Sequence, residues 1–382
     1  MSNVVYHQNE SEANRQFHKE FDNVDFLINV GPGRALVKNS LRLVGDLRVN
    51  VVDNPDPATG TRSVGGHLFN RNGGAHCFID SLQVQFTEGD KQGNMENISN
   101  YNRYCVMQSV ATEDKDDLFN GKNVCELKAP NPTIIEQYCE GVKTRNATGA
   151  RKTDNVNFSI KPKCCLNAMD LGVQSGNLPY DKTGAIKITF NLAKNNSCLF
   201  GGLQSIVSGY ALLNLKITYM SVPAENPNPC RMRLIHNYKG AVLSSFSNIS
   251  AKVPAVCDSV AMCFQEQRRE NAFKEDNLDL SKPDNIKEVQ FLMNDSNNEY
   301  ITYKIDDKGE MLTRFKDAMS KSGHSELVGG RLNGDGAYGL GLDFGGKFID
   351  LSQNKFNLQI NSDIDGTNPY NVYMYFSSVV NV

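Results

Sequence analysis

The chain has no tryptophan and only six histidines among its 382 residues. Single-stranded nucleic acids are usually held by aromatic side chains interleaved with basic ones, and no such ladder occurs in the sequence. Lys and Arg number 40 against 43 Asp and Glu, which gives a formal net charge of -3. Because no net positive field is available to hold a phosphate backbone, we expect no specific nucleic acid as a partner.

Long hydrophobic runs are also missing. No apolar stretch approaches the ~20 residues that a membrane-spanning helix needs, and the first residues lack the basic flank and apolar core of a secretory signal. We therefore expect neither a membrane span nor export. The ten cysteines are dispersed in a chain large enough to fold without cross-links, so we expect reduced, mostly buried thiols. They lie at positions 77, 105, 125, 139, 164, 165, 198, 230, 257 and 263.

Motifs for catalysis, cofactors and metals are absent as well. The sequence contains no C-x-x-C, H-x-x-x-H or G-x-S-x-G motif, and Cys164 and Cys165, if they lie on a strand, point to opposite faces. His67, His76 and Cys77 make only a weak case for zinc. Asp363–Gly366 begins like a calcium loop but lacks the downstream Glu. We predict no catalytic residue, no cofactor-binding residue and no metal site, and hence no enzyme.

What the chain does contain is turn chemistry between short β-rich segments. Asn occurs 43 times, beside 31 Gly and 13 Pro, and these residues favour turns. Apolar residues alternate with polar ones in residues 41–51, 82–86 and 213–219, the period expected of strands with one exposed face. In full, strands are predicted at 24–30, 40–52, 76–86, 156–165, 185–192, 210–222, 231–236, 253–264, 286–293, 300–305, 338–344, 356–360 and 372–380.

The organisation that follows is all-β. Pro223, Pro227 and Pro229 interrupt the strands, and we place a linker at 223–229. It separates a flexible N-terminal arm (1–20) and a jelly-roll β-sandwich domain (21–222) from a second β-sandwich domain (230–382). Long connections at 53–75, 109–155 and 265–285 suit Greek-key crossovers. The few short helices include an amphipathic one around Met311–Met319 and a weaker candidate at Ile98–Gln108.

Three segments together carry a family resemblance. Residues 39–50 are similar to the first strand of small jelly-roll capsid proteins, and residues 76–87 and 94–107 resemble the corresponding stretch of penton (minor capsid) proteins of virophages and polinton-like eukaryotic DNA viruses. Residues 185–193, 210–223, 348–364 and 371–376 fit the same pattern.

The resemblance implies a structural capsid protein of an icosahedral virus: a vertex subunit, assembled as a homopentamer in the virion and surrounded by the major capsid protein, with synthesis in the host cytoplasm. One alternative is the double jelly roll of a major capsid protein, which forms trimers. A second alternative is a carbohydrate- or receptor-binding β-sandwich that exposes the aromatic residues Tyr338, Phe344, Tyr370, Tyr373 and Tyr375.

Overall fold

Alternating apolar residues, rather than helical stripes, determine the architecture, because each strand can bury only one side chain in two on a given face. The structure is a computed structural model that describes residues 4–11, 16–53, 67–89, 91–112, 124–128, 150–152, 155–169, 176–201, 205–224, 229–270, 275–281, 283, 286–294, 300–321, 338–364 and 366–382. Within these residues the chain forms two antiparallel β-sandwiches in succession.

The first sandwich contains the strands up to Pro223. They are β1 (Val5–Glu10), β2 (Phe17–His18), β3 (Asn23–Ile28), β4 (Arg34–Leu36), β5 (Arg42–Asp53), β6 (His67–Phe69), β7 (Ile79–Phe86), β8 (Gly93–Ser99), β9 (Ala150–Lys152), β10 (Val156–Ile160), β11 (Leu178–Pro179), β12 (Ile186–Leu192), β13 (Leu199–Gly201) and β14 (Ser205–Pro223). One sheet has eight strands: its four main strands lie in the order β1-β14-β5-β10, β2 and β4 also pair with β14, β11 pairs with β4, and β9 pairs with β5. The other sheet has the order β3-β12-β7-β8, and β6 pairs with β13 separately.

The second sandwich begins at Arg231. Its strands are β15 (Arg231–Val242), β16 (Phe246–Ala251), β17 (Val256–Glu266), β18 (Glu288–Asn294), β19 (Tyr300–Ile305), β20 (Gly339–Asp343), β21 (Ile349–Asp350), β22 (Phe356–Asn361) and β23 (Tyr370–Asn381). The sheet orders are β15-β23-β17-β20 and β16-β22-β18-β19. β21 also pairs with β17. These orders repeat the order of the four main strands in each sheet of the first sandwich, which is the order of a jelly roll. The all-β, jelly-roll fold class expected from the sequence is confirmed.

Helices occupy equivalent places in the two jelly rolls. Helix α1 (Tyr101–Thr112) follows β8, and helix α4 (Lys308–Ser320) follows β19; two single turns, α2 (Tyr180–Thr183) and α3 (Asn195–Cys198), lie in the first unit. Both predicted helices are therefore present, α1 three residues later than expected. Asp307 caps α4 by accepting a hydrogen bond from the Glu310 amide at 2.8 Å. No helix in the described ranges has the length and apolar character needed to cross a bilayer.

Three sequence expectations are wrong in detail. Val5–Glu10, assigned to a flexible arm, forms β1 and pairs in antiparallel register with β14, from Val5 opposite Ser221 to Glu10 opposite Lys216. The pairing is possible because an existing strand edge supplies the backbone partners that a polar segment cannot supply alone. The strand expected over residues 76–86 begins only at Ile79, because residues 74–78 form a 3₁₀ turn. Cys165 also lies in a 3₁₀ turn, beyond the end of β10 at Ile160.

The Pro-rich segment lies between the two jelly rolls. β14 extends through Pro223, and β15 begins at Arg231; residues 225–228 lie outside the described residues. Each unit contains a buried apolar cluster between its own two sheets. The cluster of the first unit also continues into the second unit, and this continuation forms the junction between the two jelly rolls.

Candidate functional site: the junction between the two jelly rolls

The junction is built from side chains that a single jelly roll would leave exposed. Along β17 and β23, alternate residues face opposite ways: Val260 and Met374 belong to the core of the second unit, whereas Cys263 and Tyr375 belong to the cluster shared with the first. Strand β17 is buried on both faces from Cys257 to Gln265. Both faces of this sheet are covered, one by its own sandwich and the other by α4 and the first jelly roll.

The shared cluster is correspondingly extensive. Its members from the second unit are all buried and apolar or aromatic, and they are Cys230, Met232, Leu234, Ile235, Ala261, Cys263, Leu278, Leu280, Phe315, Ala318, Met319, Tyr373 and Tyr375. Apolar burial stabilises by roughly 25 cal/mol per Å². A junction of this composition therefore holds the two jelly rolls as one body.

A buried carboxylate bridges the two units at β8. Glu96 is 3% exposed and accepts two backbone hydrogen bonds of 2.7 Å, from the Cys165 amide of its own unit and from the Ile235 amide of the second. Burial raises the pKa of Glu96 to about 7, although the two amides oppose this rise. Both oxygens are used as acceptors, so the carboxyl fixes the position of β15 relative to β8.

A half-buried carboxylate crosses the junction in the opposite direction. Asp276 of the second unit accepts a 2.7 Å hydrogen bond from the Asn70 side-chain amide of the first unit, and a 2.9 Å hydrogen bond from the Leu278 amide. Burial, helped by the nearby Asp279 carboxylate, raises the pKa of Asp276 to about 7. Asp276 therefore ties the segment before the 3₁₀ turn at 74–78 to the second jelly roll.

An arginine on α1 completes the polar part of the junction. Arg103 is 5% exposed; its Nη2 donates to the Asn277 carbonyl at 3.0 Å, and its guanidinium lies 4.3 Å from the centre of the Tyr373 ring. The Tyr375 hydroxyl donates to the Asn100 carbonyl at 3.0 Å. These contacts join helix α1 and the residue before it to residues 275–281 and to the last strand of the second unit.

A polar cavity of about 290 Å³ opens beside these contacts. Its charged lining comprises Asp80, Arg103, Lys194 and Glu270, so two cations face two carboxylates. Glu270 is already engaged, by Lys239 at 3.2 Å and by the Asn371 side chain at 3.0 Å. The charges of the cavity therefore balance, and the hydroxyl of Ser197 in its lining donates to the Lys194 carbonyl at 2.9 Å.

The aromatic residues considered for ligand binding do not form an exposed face. Phe344, Tyr370, Tyr373 and Tyr375 are all buried, and Tyr338 is partly buried against the second core. Tyr373 and Tyr375 lie in the junction itself, and the Tyr375 ring packs 5.1 Å from the Tyr104 ring. The prediction of an aromatic binding surface made of these residues is therefore wrong.

The weak zinc candidates are placed in different environments. His67 lies in β6, whereas His76 is fully buried, 3.0 Å from the Tyr101 hydroxyl and 3.8 Å from the Glu126 carboxylate. Burial lowers the pKa of His76. Burial alone would raise the pKa of Glu126, but the buried Lys128 ammonium at 2.9 Å and the His76 ring hold it well below its usual range. The cluster is an ion pair that attaches residues 124–128 to the first jelly roll.

The remaining sequence candidates give no metal site in the described part of the chain, where no group of three or more His, Cys, Asp or Glu side chains has ligand geometry. Asp363 forms an ion pair with Lys287, and Asp365 lies outside the described residues. Cys139 also lies outside the described residues. Of the nine cysteines described, eight are buried, Cys125 is exposed, and all nine are free thiols.

Sequence reasoning missed the polar residues of the junction, although a signal was present for one of them. On β8, Glu96 shares the inward-facing parity of Ile98, so strand periodicity predicts a carboxylate in the core. An inward-facing charge in an otherwise regular strand indicates a specific partner. Arg103 and Asp276 gave no such signal, because they lie in a helix and a loop whose burial depends on the other unit.

The fold has several known counterparts among solved structures, although no protein-family model matches the chain and no curated protein matches it. The Faustovirus major capsid protein superposes with a TM-score of 0.67 at 7% identity, covering 100% of this chain and 91% of that one. A chain from the Sputnik virophage structure gives 0.60 at 12% identity, covering 99% and 85%. The mavirus major capsid protein gives 0.51 at 10% identity, covering 99% and 90%. This chain therefore has the double jelly-roll fold of these viral proteins.

Proposed function

We propose that this chain is the major capsid protein of an icosahedral DNA virus, that it assembles with itself into trimers, and that its location is the virion. The observation that carries the proposal is the pair of jelly rolls with identical strand order, joined through one buried junction. The likeness to the Faustovirus and mavirus major capsid proteins spans almost the full length of both chains and supports it. This favours the trimer alternative over the homopentameric vertex subunit expected from the sequence.

The geometry gives a physical reason for three copies. Two similar units in each chain place six similar β-sandwiches around a threefold axis, so the trimer approximates a hexagon. Such a block can tile a flat facet, whereas a ring of five would present ten sandwiches. Head-to-tail contacts between identical copies close into a ring when the rotation per copy divides the circle. No chemical reaction is part of the proposed role.

Light scattering of the purified chain over a range of concentration and ionic strength tests the proposal. A particle of about three times 42.4 kDa with a hexagonal outline in electron micrographs is the expected result. A mass of about five times that of the chain would instead support the vertex role. A chain that stays monomeric under all conditions would overturn both capsid readings, because self-assembly is their shared consequence.

A further inference from the structure

Arg103 lines the polar cavity beside the junction and has more N–H groups than its neighbours use. The residue is 5% exposed, and its Nη2 donates to the Asn277 carbonyl. Within the described part of the chain, its Nε and Nη1 find no acceptor. Buried donors that lack an acceptor are costly, above all when they carry charge. Arg103 therefore needs an acceptor that the described residues do not supply.

The cavity has the size of a site for a small ligand. Its volume of about 290 Å³ lies near the lower end of ligand pockets, which hold roughly 300–1,000 Å³. We propose that the cavity binds a small oxyanion of the phosphate class between the two jelly rolls, with the Arg103 guanidinium as its principal donor. A phosphate group offers several acceptor oxygens, and the planar fork of a guanidinium matches their spacing.

The charge around the cavity becomes positive when the pairing of its carboxylates is considered. Lys239, which is not part of the lining, pairs with Glu270 at 3.2 Å. Asp80 is then the one lining carboxylate that faces Arg103 and Lys194. Among the described residues, neither cation forms an ion pair with a carboxylate within 4.0 Å. Two cations against one carboxylate leave a net positive charge that attracts an anion.

The carboxylate of Asp276 lies outside the lining and does not satisfy Arg103. One of its oxygens accepts from the Asn70 side chain and the other accepts from the Leu278 amide. Its charge offsets part of the charge of Arg103, but it leaves Nε and Nη1 without an acceptor. An anion in the cavity would supply the missing hydrogen bonds.

The N-terminal end of α1 acts on the same space. Helix α1 begins at Tyr101, and Asn100, Asn102 and Arg103 all line the cavity. The first N–H groups of a helix carry a partial positive charge, and anions are commonly bound there. The helix end and the guanidinium therefore favour a ligand of the same sign.

The guanidinium is held in place before any ligand arrives. Its carbon lies 4.3 Å from the centre of the Tyr373 ring. The Tyr373 hydroxyl donates to the Gln265 side chain at 3.1 Å, and the Gln265 amide donates to the Asn277 carbonyl at 2.8 Å. Because these groups already fix one another, binding requires little further ordering of side chains.

Calorimetric titration of the full-length chain with inorganic phosphate, at an ionic strength held constant with chloride, tests the proposal. We expect saturable binding of one phosphate per chain. Hydrogen exchange should show increased protection of the Arg103 and Leu278 amides with phosphate, and no change in β18. A nucleoside monophosphate, titrated in parallel, separates the two sources of the group: binding of phosphate alone indicates the free anion, and tighter binding of the ester indicates a phosphate on a larger molecule. Absence of binding by both would overturn the proposal.

Variants assign the binding to the cavity. Arg103→Gln should weaken the affinity for phosphate by about tenfold or more, because it removes charge-assisted hydrogen bonds. Lys194→Gln should weaken it by about two- to fivefold, and Asp80→Asn should strengthen it by a similar factor, the usual range for exposed charges. Arg42→Gln, at an exposed arginine outside the lining, is the matched control and should leave the affinity unchanged.

The two exposed positions keep the test independent of folding, because Arg103 also contributes to the junction. Asp80 and Lys194 are exposed, so their substitution should leave the fold intact. The sign of the Asp80→Asn effect is decisive, since loss of a carboxylate strengthens the binding of an anion and weakens the binding of a cation. Weaker phosphate binding by Asp80→Asn, or equal binding by Lys194→Gln and the unmodified chain, would show that the phosphate does not occupy this cavity.

Discussion

The two jelly rolls share one strand order but close their first sheet differently. In the second unit, β15 pairs with β23 over twelve residues, from Arg231 opposite Asn381 to Val242 opposite Tyr370. In the first, the equivalent strand β1 pairs over only six residues, and its side chains are exposed or half-buried. The same topology is therefore built once from a long, partly buried strand and once from a short, polar edge strand. Strand order alone does not determine how firmly an edge is held.

The two equivalent helices differ in the same way. All twelve residues of α1 are buried, because it lies between its own jelly roll and the second unit. Helix α4 buries one face, with Phe315 and Ala318 against β20, and exposes the other. The comparison shows that the second unit completes the burial of the first. The first unit in turn covers the outward face of β17 and β23, so each jelly roll depends on the other for burial.

Removing a junction aromatic should produce the largest effect on this dependence. Tyr375→Ala deletes a buried ring that packs on Tyr104 and donates to the Asn100 carbonyl. Large-to-small substitution of a buried aromatic costs about 3–5 kcal/mol of unfolding free energy, measured by urea denaturation. Tyr375→Phe should lose only about 1 kcal/mol, because it removes the hydrogen bond and keeps the ring.

The control for this substitution is Tyr6→Ala on β1. Tyr6 is 66% exposed, so its truncation should change the unfolding free energy by no more than about 0.5 kcal/mol. Similar losses of unfolding free energy for Tyr375→Ala and Tyr6→Ala would show that the junction adds no measurable stability. The claim that the jelly rolls depend on each other through this junction would then be wrong.

Crowding the contact between α4 and β20 should have an intermediate effect confined to the second unit. A Cβ atom at Gly341 would lie 2.8 Å from the Ala318 Cβ and 3.0 Å from the Val260 carbonyl oxygen. Gly341→Val should therefore cost about 1–3 kcal/mol through overpacking. Gly366→Ala, where the nearest heavy atom is 4.0 Å away, is the matched control and should be close to neutral. Hydrogen exchange should locate the Gly341→Val loss in β17, β20 and α4; faster exchange of β5 would contradict this assignment.

Strand periodicity predicted much of the fold because it reports local burial. Tyr300–Ile305 was placed without error, and the stripe of α4 was visible since one of its faces meets solvent. Strands such as Phe246–Ala251 and Gly93–Ser99 were missed, because polar residues dominate them. The doubling of the jelly roll could be proposed only as an alternative, since equivalent strands of the two units share an order and not a sequence pattern.

The junction could not be predicted in the same way. In the sequence, Cys263 and Tyr375 look like ordinary residues of a buried strand. Only the packing of one unit on the other shows that their side chains lie in the cluster shared with the first unit. The surroundings of Arg103 and Asp276 likewise result from contacts between residues more than 170 positions apart. Sequence patterns report the environment within one element, and the junction depends on the relation between elements of different units.

The smallest expected effect concerns β1, the polar edge strand that the sequence analysis assigned to a flexible arm. The His7 ring stacks on the Tyr219 ring with centroids 4.8 Å apart and lies 2.7 Å from the Ser221 hydroxyl. His7→Ala should cost about 1 kcal/mol, the usual contribution of a ring contact or one hydrogen bond at a partly exposed site. Gln8→Ala, at an exposed position of the same strand, is the control and should be near neutral. Because β1 pairs only at its β14 side, the loss should appear as faster exchange of the β1 amides and the outer β14 amides, with β15 and β23 unchanged. Equally fast exchange of the β15 and β23 amides in the second unit would mean that β1 is not an independently stabilised edge. The proposed difference between the first sheets of the two jelly rolls would then be wrong.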